Sequence, residues 1–360
     1  MPVRKGVEMQ CVTPMFRRYE KGNHNKGNVI PRVEVMQELI WDKNYIRKMI
    51  NIYNSKNVYY QVEQIPCNHC WACNLNYSAE WATRIMKEVE QSENNYFITL
   101  TYDDEHLPIL EEIQCNYGDH FKMYRNDGTW QGSLYPEDME TFINSLRKYF
   151  ERKGVKGIKY YYCGEYGETT LRPHYHIILM HCPLDISLFY DTHVDTNFKA
   201  HWKSHEIEHY WKKGMIDIAE VEWSSAAYVA RYCMKKLDKN PDKSFYYEQG
   251  KIPEYTRSSQ HIGEAWYQEH KGEIYKNDEI IMKTVKGNIG SYKPPKAWDK
   301  KFKEEFPNEF KEIQKSRRKA AERSRKLQEQ LNDYTDMKKL EMKADKLKTK
   351  MQMLPRVGEW

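Results

Sequence analysis

Two hydrophobic periods alternate along the chain. From Asn76 onward, Ala79, Ala82, Ile85, Met86 and Val89 recur at three- and four-residue intervals, the stripe of an amphipathic helix. The β-branched and aromatic run NNYFITLTYDD then predicts a central strand ending near Tyr102. After a polar insertion, YPEDMETFINSLRKYFERKG predicts a helix. Pro136 suits its first turn, Glu137 and Asp138 suit its positive end, and Phe142, Ile143, Leu146 and Phe150 form the buried stripe. GIKYYYCGEYG and RPHYHIILMHC predict two neighbouring strands joined by ETTLRP. NFKAHWKSHEIEHYWKKG reads as a helix of mixed polarity, MIDIAEVEW as a strand, and SSAAYVARYCMKKLDK as a helix with a Ser N-cap. Strand, helix, strand, strand, helix, strand, helix is the order of an α+β domain of the split βαβ kind, with a largely antiparallel sheet flanked by helices.

The ends are less periodic. Residues 1–65 hold a short helix pattern at PRVEVMQELIW and a strand-like run at NVYYQVEQIPC. From about residue 296 the chain is highly charged and predicts a long helix. Leu340, Ala344, Leu347, Met351 and Leu354 follow heptad spacing, out of register with Leu327, Leu331 and Tyr334. Partner binding, self-association and a solvated surface helix all fit that tail.

Composition narrows the classes. A 360-residue chain with 40 % hydrophobic content can bury a good-sized core. No apolar run approaches the roughly 20 residues of a membrane span, and MPVRKGVEMQCVTPMF lacks the apolar centre of a signal peptide, so a cytosolic protein is expected. Of eight cysteines, Cys67, Cys70 and Cys73 are clustered and the rest scattered, unlike a disulfide framework. A net charge of +5 is a weak argument for a nucleic-acid partner. The 28 tyrosines and 10 tryptophans fit base stacking or an aromatic-rich core, and for any one Tyr the core is favoured. No G-x-x-x-x-G-K-[ST] run is present, so the chain carries no P-loop motor.

The chemistry gathers around RPHYHIIL. In a strand, His174 and His176 project from one face and Tyr175 from the other. If the two neighbouring strands pair, Glu165 lies across from one of these histidines and completes a three-ligand site for Mg²⁺ or Mn²⁺. Glu168 in the connecting loop is an alternative, and the acidic turn of Asp103, Asp104, Glu105 and His106 is a third. Downstream, Tyr228 and Tyr232 are four apart and share a helix face, with Lys235 and Lys236 in the next turn. A phenol is a poor nucleophile at neutral pH unless a metal polarises the phosphate and cations favour the phenolate.

ITLTY, RPHYHIIL and YVARYCMKK, in that order, resemble the three motifs of HUH endonucleases, which start rolling-circle replication. The match extends to the replication initiators of the microviruses, small single-stranded DNA phages, and to their gokushovirus-like branch. That branch also shows PC-x-x-C-x-x-C, ITLTYDDEHLP, GEYG…RPHYH and SAAYVARY-x-x-KK. The resemblance covers about half of the chain, between Pro66 and Lys236. It implies that His174, His176 and a neighbouring Glu bind a divalent metal, and that Tyr228 or Tyr232 attacks single-stranded origin DNA to leave a 5′-phosphotyrosyl link. The second tyrosine then attacks the next origin copy and releases a circle, while Lys235 or Lys236 steadies phosphate or phenolate. The first-motif segment, Thr99 to Tyr102, is assigned a structural or DNA-contacting role. The expected setting is the cytoplasm of a bacterial host, with a host helicase and replication machinery as partners and no membrane. On this reading residues 66–240 are the HUH nuclease domain, 1–65 an N-terminal extension, 241–295 a mixed accessory segment and 296–360 the charged helical tail.

Cys67, Cys70 and Cys73 have zinc-knuckle spacing, and His69, Cys163 or a distant group would supply a fourth ligand. Structural Zn²⁺ and buried thiols fit equally. Two other functions stay open: a plasmid relaxase or transposase of the HUH type, and a non-catalytic zinc-containing single-stranded nucleic-acid binder on an RRM-like sheet.

Overall fold

The computed structural model describes residues 71–110, 132–167, 170–195, 199–237, 250–283 and 289–331, residue 246, and strand segments at 4–5, 15–20, 27–30, 60–65 and 123–124. One compact unit is centred on residues 77–299, and a second draws on 7–76 and 300–359.

The first unit is built on a seven-stranded sheet. Its elements in chain order are α1 (Trp71–Val89), β1 (Tyr96–Thr101), α2 (Pro136–Arg152), β2 (Lys159–Tyr166), β3 (Pro173–Met180), β4 (Phe189–Val194), β5 (Ala200–Ser204), α3 (His205–Trp211), β6 (Ile216–Glu220), α4 (Trp223–Leu237), β7 (Tyr255–Ser258) and α5 (Glu264–Asn277). The spatial order is β4-β5-β6-β1-β3-β2-β7, every pair antiparallel. The inner four strands, β6-β1-β3-β2, carry the split βαβ arrangement, with α2 crossing from β1 to β2. The hairpin β4–β5 is inserted on the way from β3 to β6, and β7 is appended at the opposite edge. The fold is α+β.

Period-two alternation divides the sheet. On one face Ile98, Leu100, Tyr162, Tyr175, Ile177, Ile216 and Ile218 are buried with Phe142, Leu146 and Phe150 of α2 and Trp211 of α3. Pro136 occupies the first turn of α2 and Glu137 and Asp138 its positive end, as expected. The opposite face carries Thr99, Glu165, His174 and His176 and packs against α4.

In the first unit, three elements differ from the sequence reading. α1 begins at Trp71, five residues before Asn76, because a helix tolerates the polar Asn74 and Asn76 that interrupt the apolar period. The segment read as one mixed helix is strand β5 followed by the short helix α3. Ser204 makes the break, since its hydroxyl accepts from Ile207 N and caps a helix that starts at His205. α4 starts at Trp223 rather than after a Ser cap, and Ser225 Oγ instead reaches back from the first turn to accept from Glu222 N at 2.9 Å.

In the second unit, Gly27–Ile30, Met15–Glu20 and Tyr60–Ile65 form a three-stranded antiparallel sheet in that order. The charged tail is two helices, α6 (Lys296–Glu305) and α7 (Pro307–Leu331). Pro307 explains the break, since it has no N–H to continue one helix but suits the first position of the next. The heptad positions 340–354 and the helix pattern at 31–41 lie outside the described residues. Among the described residues no helix is long and apolar enough to cross a membrane.

Candidate active site

The pairing of β2 with β3 builds the site. Their register sets Glu165 opposite His174 and Cys163 opposite His176. On the other side of β3, Thr99 of β1 is opposite His176 and Thr101 opposite His174. Both imidazoles therefore stand between strands that hold their neighbours in place. Glu165 Oε1 lies 2.9 Å from His174 Nε2 and 2.7 Å from His176 Nε2. Glu165 and His176 are fully buried, and His174 is partly open.

The outer ring nitrogens are fixed as well. His174 Nδ1 lies 3.1 Å from the carbonyl of Arg172, so that nitrogen carries the hydrogen. His176 Nδ1 lies 2.9 Å from Thr99 Oγ1. With its Nδ1 so engaged, His174 can face a carboxylate through Nε2 only as an imidazolium or with a cation between them. Glu165 Oε2 is buried and has no hydrogen-bond partner among the described residues. Burial opposes ionisation of Glu165, but His176 and His174 outweigh it and hold the carboxyl below its usual range. His176 is depressed by its burial, whereas Glu165 outweighs burial at His174 and raises it. The three donor atoms lie within 4.8 Å of one another. One ionised carboxylate, two imidazoles and an orphaned carboxylate oxygen fit a divalent cation.

Helix α4 closes the site. The Tyr228 hydroxyl donates to the same Glu165 Oε1 at 3.3 Å, and its ring meets the edge of His176 at a centroid distance of 5.3 Å. The hydroxyl of Ser78 on α1 anchors α4 through Ala227 O at 2.8 Å. Tyr232, Lys235 and Lys236 continue the same helix over its next turns, and their side chains lie outside the described residues.

The remaining candidates fall elsewhere. Glu168, His69, Cys67 and Cys70 lie outside the described residues. Cys73 is in the first turn of α1. In the acidic turn, Asp103 pairs with His106 at 2.7 Å and Asp104 with Arg172 at 2.7 Å. On the first-motif strand, the Thr99 hydroxyl meets a site imidazole. The signal for it was the cross-strand neighbour of the second histidine, which needs the β1–β3 register. Tyr175, between the histidines, is fully buried on the core face, accepting from Tyr135 N at 2.7 Å.

Residues 95–237 match the family model of the replication-associated protein ORF2/G2P. The chain is 36 % identical over 285 residues to the replication-associated protein ORF2 of Spiroplasma virus 4, covering 78 % of this chain and 82 % of that one. It is 28 % identical over 299 residues to the replication-associated protein VP4 of Bdellovibrio phage phiMH2K, covering 79 % and 84 %. The replication-associated protein ORF4 of Chlamydia phage 1 is 25 % identical over 234 residues, covering 62 % and 52 %. No solved structure matches. With the matched segment spanning β1 to α4, and so every residue of the site, the chain belongs to the family of phage replication-associated proteins.

Proposed function

We propose that the protein starts rolling-circle replication of a phage genome as a metal-dependent single-strand DNA endonuclease and strand transferase of the HUH type. The observation that carries this reading is the Tyr228 hydroxyl, 3.3 Å from the carboxylate oxygen that His174 and His176 share. A phenol, two imidazoles and a carboxylate converging on one point have the parts for phosphodiester transesterification.

His174, His176 and Glu165 hold Mg²⁺ or Mn²⁺, which when bound supplies Lewis-acid polarisation of the scissile phosphate. The tyrosine oxygen forms a bond to phosphorus as the bond to the 3′-oxygen breaks. The phenol's proton passes to solvent, and the 3′-oxygen takes a proton from water and leaves as a hydroxyl for the host polymerase. The phosphotyrosyl ester retains the energy of the broken bond, so resealing needs no nucleotide cofactor. Tyr232, one turn on, serves the second transfer that releases a unit circle. Lys235 and Lys236 favour the phenolate and steady the phosphate. With no P-loop in the sequence, strand separation falls to a host helicase in the bacterial cytoplasm.

The test is covalent capture. Incubated with Mn²⁺ and single-stranded circular phage DNA, the protein is expected to give an adduct that survives denaturing electrophoresis. The double substitution Tyr228→Phe, Tyr232→Phe should abolish it. An adduct that persists in the double variant overturns the tyrosine assignment. No adduct across divalent metals and candidate origins overturns the nuclease and leaves a binding protein.

A further inference from the structure

The site face of the sheet carries a second group of metal-type donors, three strands wide and distinct from the first. His193 on β4, His201 on β5 and Asp217 on β6 each offer one ligand atom, all within 4.8 Å of one another. We propose that these residues form a second binding site for a divalent transition-metal ion, which ties the inserted β4–β5 hairpin to the body of the sheet.

The chain builds this cluster by a specific departure from regular pairing. Tyr190 pairs with Lys203, and in uninterrupted register Thr192 would then face His201. Instead the register shifts, and His193 is the residue opposite His201. Asp191, with φ at 52°, supplies the left-handed turn of this bulge. A bulge adds one residue to one strand and re-aims the side chains that follow it. Here it brings two imidazoles together, with ring centroids 5.3 Å apart. Asp217 sits diagonally from His201, two positions before its partner Ala219, and so shares its face. Its Oδ2 is 2.6 Å from His201 Nδ1 and its Oδ1 is 3.8 Å from His193 Nε2. Asp195, whose Oδ2 is 3.8 Å from His201 Nε2, adds a second carboxylate at the rim.

The first site supplies an internal comparison. There His174 Nδ1 lies against the carbonyl two residues earlier, leaving Nε2 toward Glu165. His193 repeats the arrangement: its Nδ1 lies 3.3 Å from the carbonyl of Asp191, and Nε2 points to Asp217. Carbonyl contacts of this kind fix the tautomer and aim of histidine ligands. His201 is buried and Asp217 nearly so, while His193 is about one-third exposed, which gives an ion a way in from solvent. Two imidazoles and a carboxylate suit Mn²⁺ or Zn²⁺ rather than Ca²⁺.

The two sites share a row. Asp217 pairs with Thr99, and Thr99 with His176. With strands roughly 4.8 Å apart, Asp217 stands about 10 Å from His176. A second ion there also adds positive charge to the face that holds the first.

The test reads stoichiometry on the full chain without DNA, so its result is independent of the nuclease reading. Mn²⁺ is the probe, because thiolate clusters take it poorly, and bound ion is counted by electron paramagnetic resonance and native mass spectrometry. Two equivalents are expected. His174→Gln with His176→Gln should lose one, and His193→Gln should lose the other. Because Asp217→Asn removes a largely buried group, His193→Gln, at a residue about one-third exposed, is the primary variant, with circular dichroism to confirm its fold. Mn²⁺ should also slow amide exchange across residues 189–204 in the wild type and not in His193→Gln. A single equivalent lost with His174 and His176, or two equivalents retained by folded His193→Gln, overturns the proposal.

Discussion

Glu88 permits the most quantitative prediction. It lies near the end of α1, 1 % exposed, and joins three separate parts of the first unit. Lys159 at the start of β2 reaches it at 2.7 Å, His181 just past β3 at 2.6 Å, and Gly263 N ahead of α5 at 2.6 Å. His181 has φ at 58°, an uncommon conformation for a non-glycine residue, so this carboxylate also secures a strained end of the strand that carries the site histidines. Burial disfavours its charge, but His181, Lys159 and Gly263 N outweigh that and bring its pKa from 4.5 to about 2. A shift of about 2.5 units at about 1.36 kcal/mol each sets a ceiling of about 3.4 kcal/mol. Partial exposure of Lys159 and His181 reduces this, and Glu88→Gln is expected to cost about 2 kcal/mol at pH 7.

The sign follows from linkage. The folded pKa is depressed, so the stabilisation is complete above the unfolded value of 4.5 and is lost as pH falls toward 2. With these two values, only about 1.4 of the about 3.4 kcal/mol remains at pH 3. Thermal unfolding of wild type and Glu88→Gln across pH 7 to 3 is the assay. For a unit of this size about 2 kcal/mol corresponds to a Tm gap of about 4–8 °C at neutral pH, and the gap should narrow by more than half at pH 3. A gap below about 1 °C at pH 7, or one that does not change with pH, would refute the reasoning.

Three substitutions probe the surroundings of the site. Thr99→Val removes the hydroxyl 2.9 Å from His176 Nδ1, and Mn²⁺ titration should show affinity at the His174–His176 site about 10–100-fold weaker, restored by Thr99→Ser. Tyr175→Phe leaves Tyr135 N and O without the phenol that pairs with both, at 2.7 and 3.0 Å; it should cost about 1–3 kcal/mol by chemical unfolding yet keep adduct formation at permissive temperature. Gly214→Ala places a Cβ 2.4 Å from Thr101 O and 2.4 Å from Asp103 N at a φ of 149°, so a loss of at least about 2 kcal/mol is expected; a loss below about 0.5 kcal/mol would mean the turn can move aside.

The first site was legible because its geometry is local. Two histidines at i and i+2 share a face by the pleat alone, and a short connection between two strand-like runs brings Glu165 alongside. Choosing between Glu165 and Glu168 needs the register, which Gly167 and Arg172 set where the hairpin closes: Gly167 N donates to Arg172 O at 3.0 Å. The split βαβ order was legible from alternating periods, as was the face of α2. The hairpin β4–β5 was not. Its half-exposed strands carry too little apolar contrast, and AHWKSHEIEHYW fits a helix until Ser204 is seen to cap one. His193, His201 and Asp217 were therefore invisible as a group. Their spacing of 8 and 16 residues matches no local template, and their meeting depends on a bulge at Asp191 that no propensity announces.

Strand β3 shows why the site and the core are one structure. The same pleat that turns His174 and His176 toward Glu165 turns Tyr175 and Ile177 into the packed face. There the Tyr175 phenol bonds both backbone groups of Tyr135 and lies 3.2 Å from Tyr102 OH, beside the ring of Trp211. A one-residue slip of β3 would expose that network and bury the wrong side chains on the site face. The opposite face adds its own constraint, since Thr99 and Glu165 sit on the two strands flanking β3 and contact the imidazoles from both sides. The aim of two histidines is thus fixed from three directions before any ion or DNA arrives. On the proposed reading, that order would lower the reorganisation needed to hold a cation and a phosphate. It also means that Tyr175, although it cannot reach the reacting face, helps determine where His174 and His176 point.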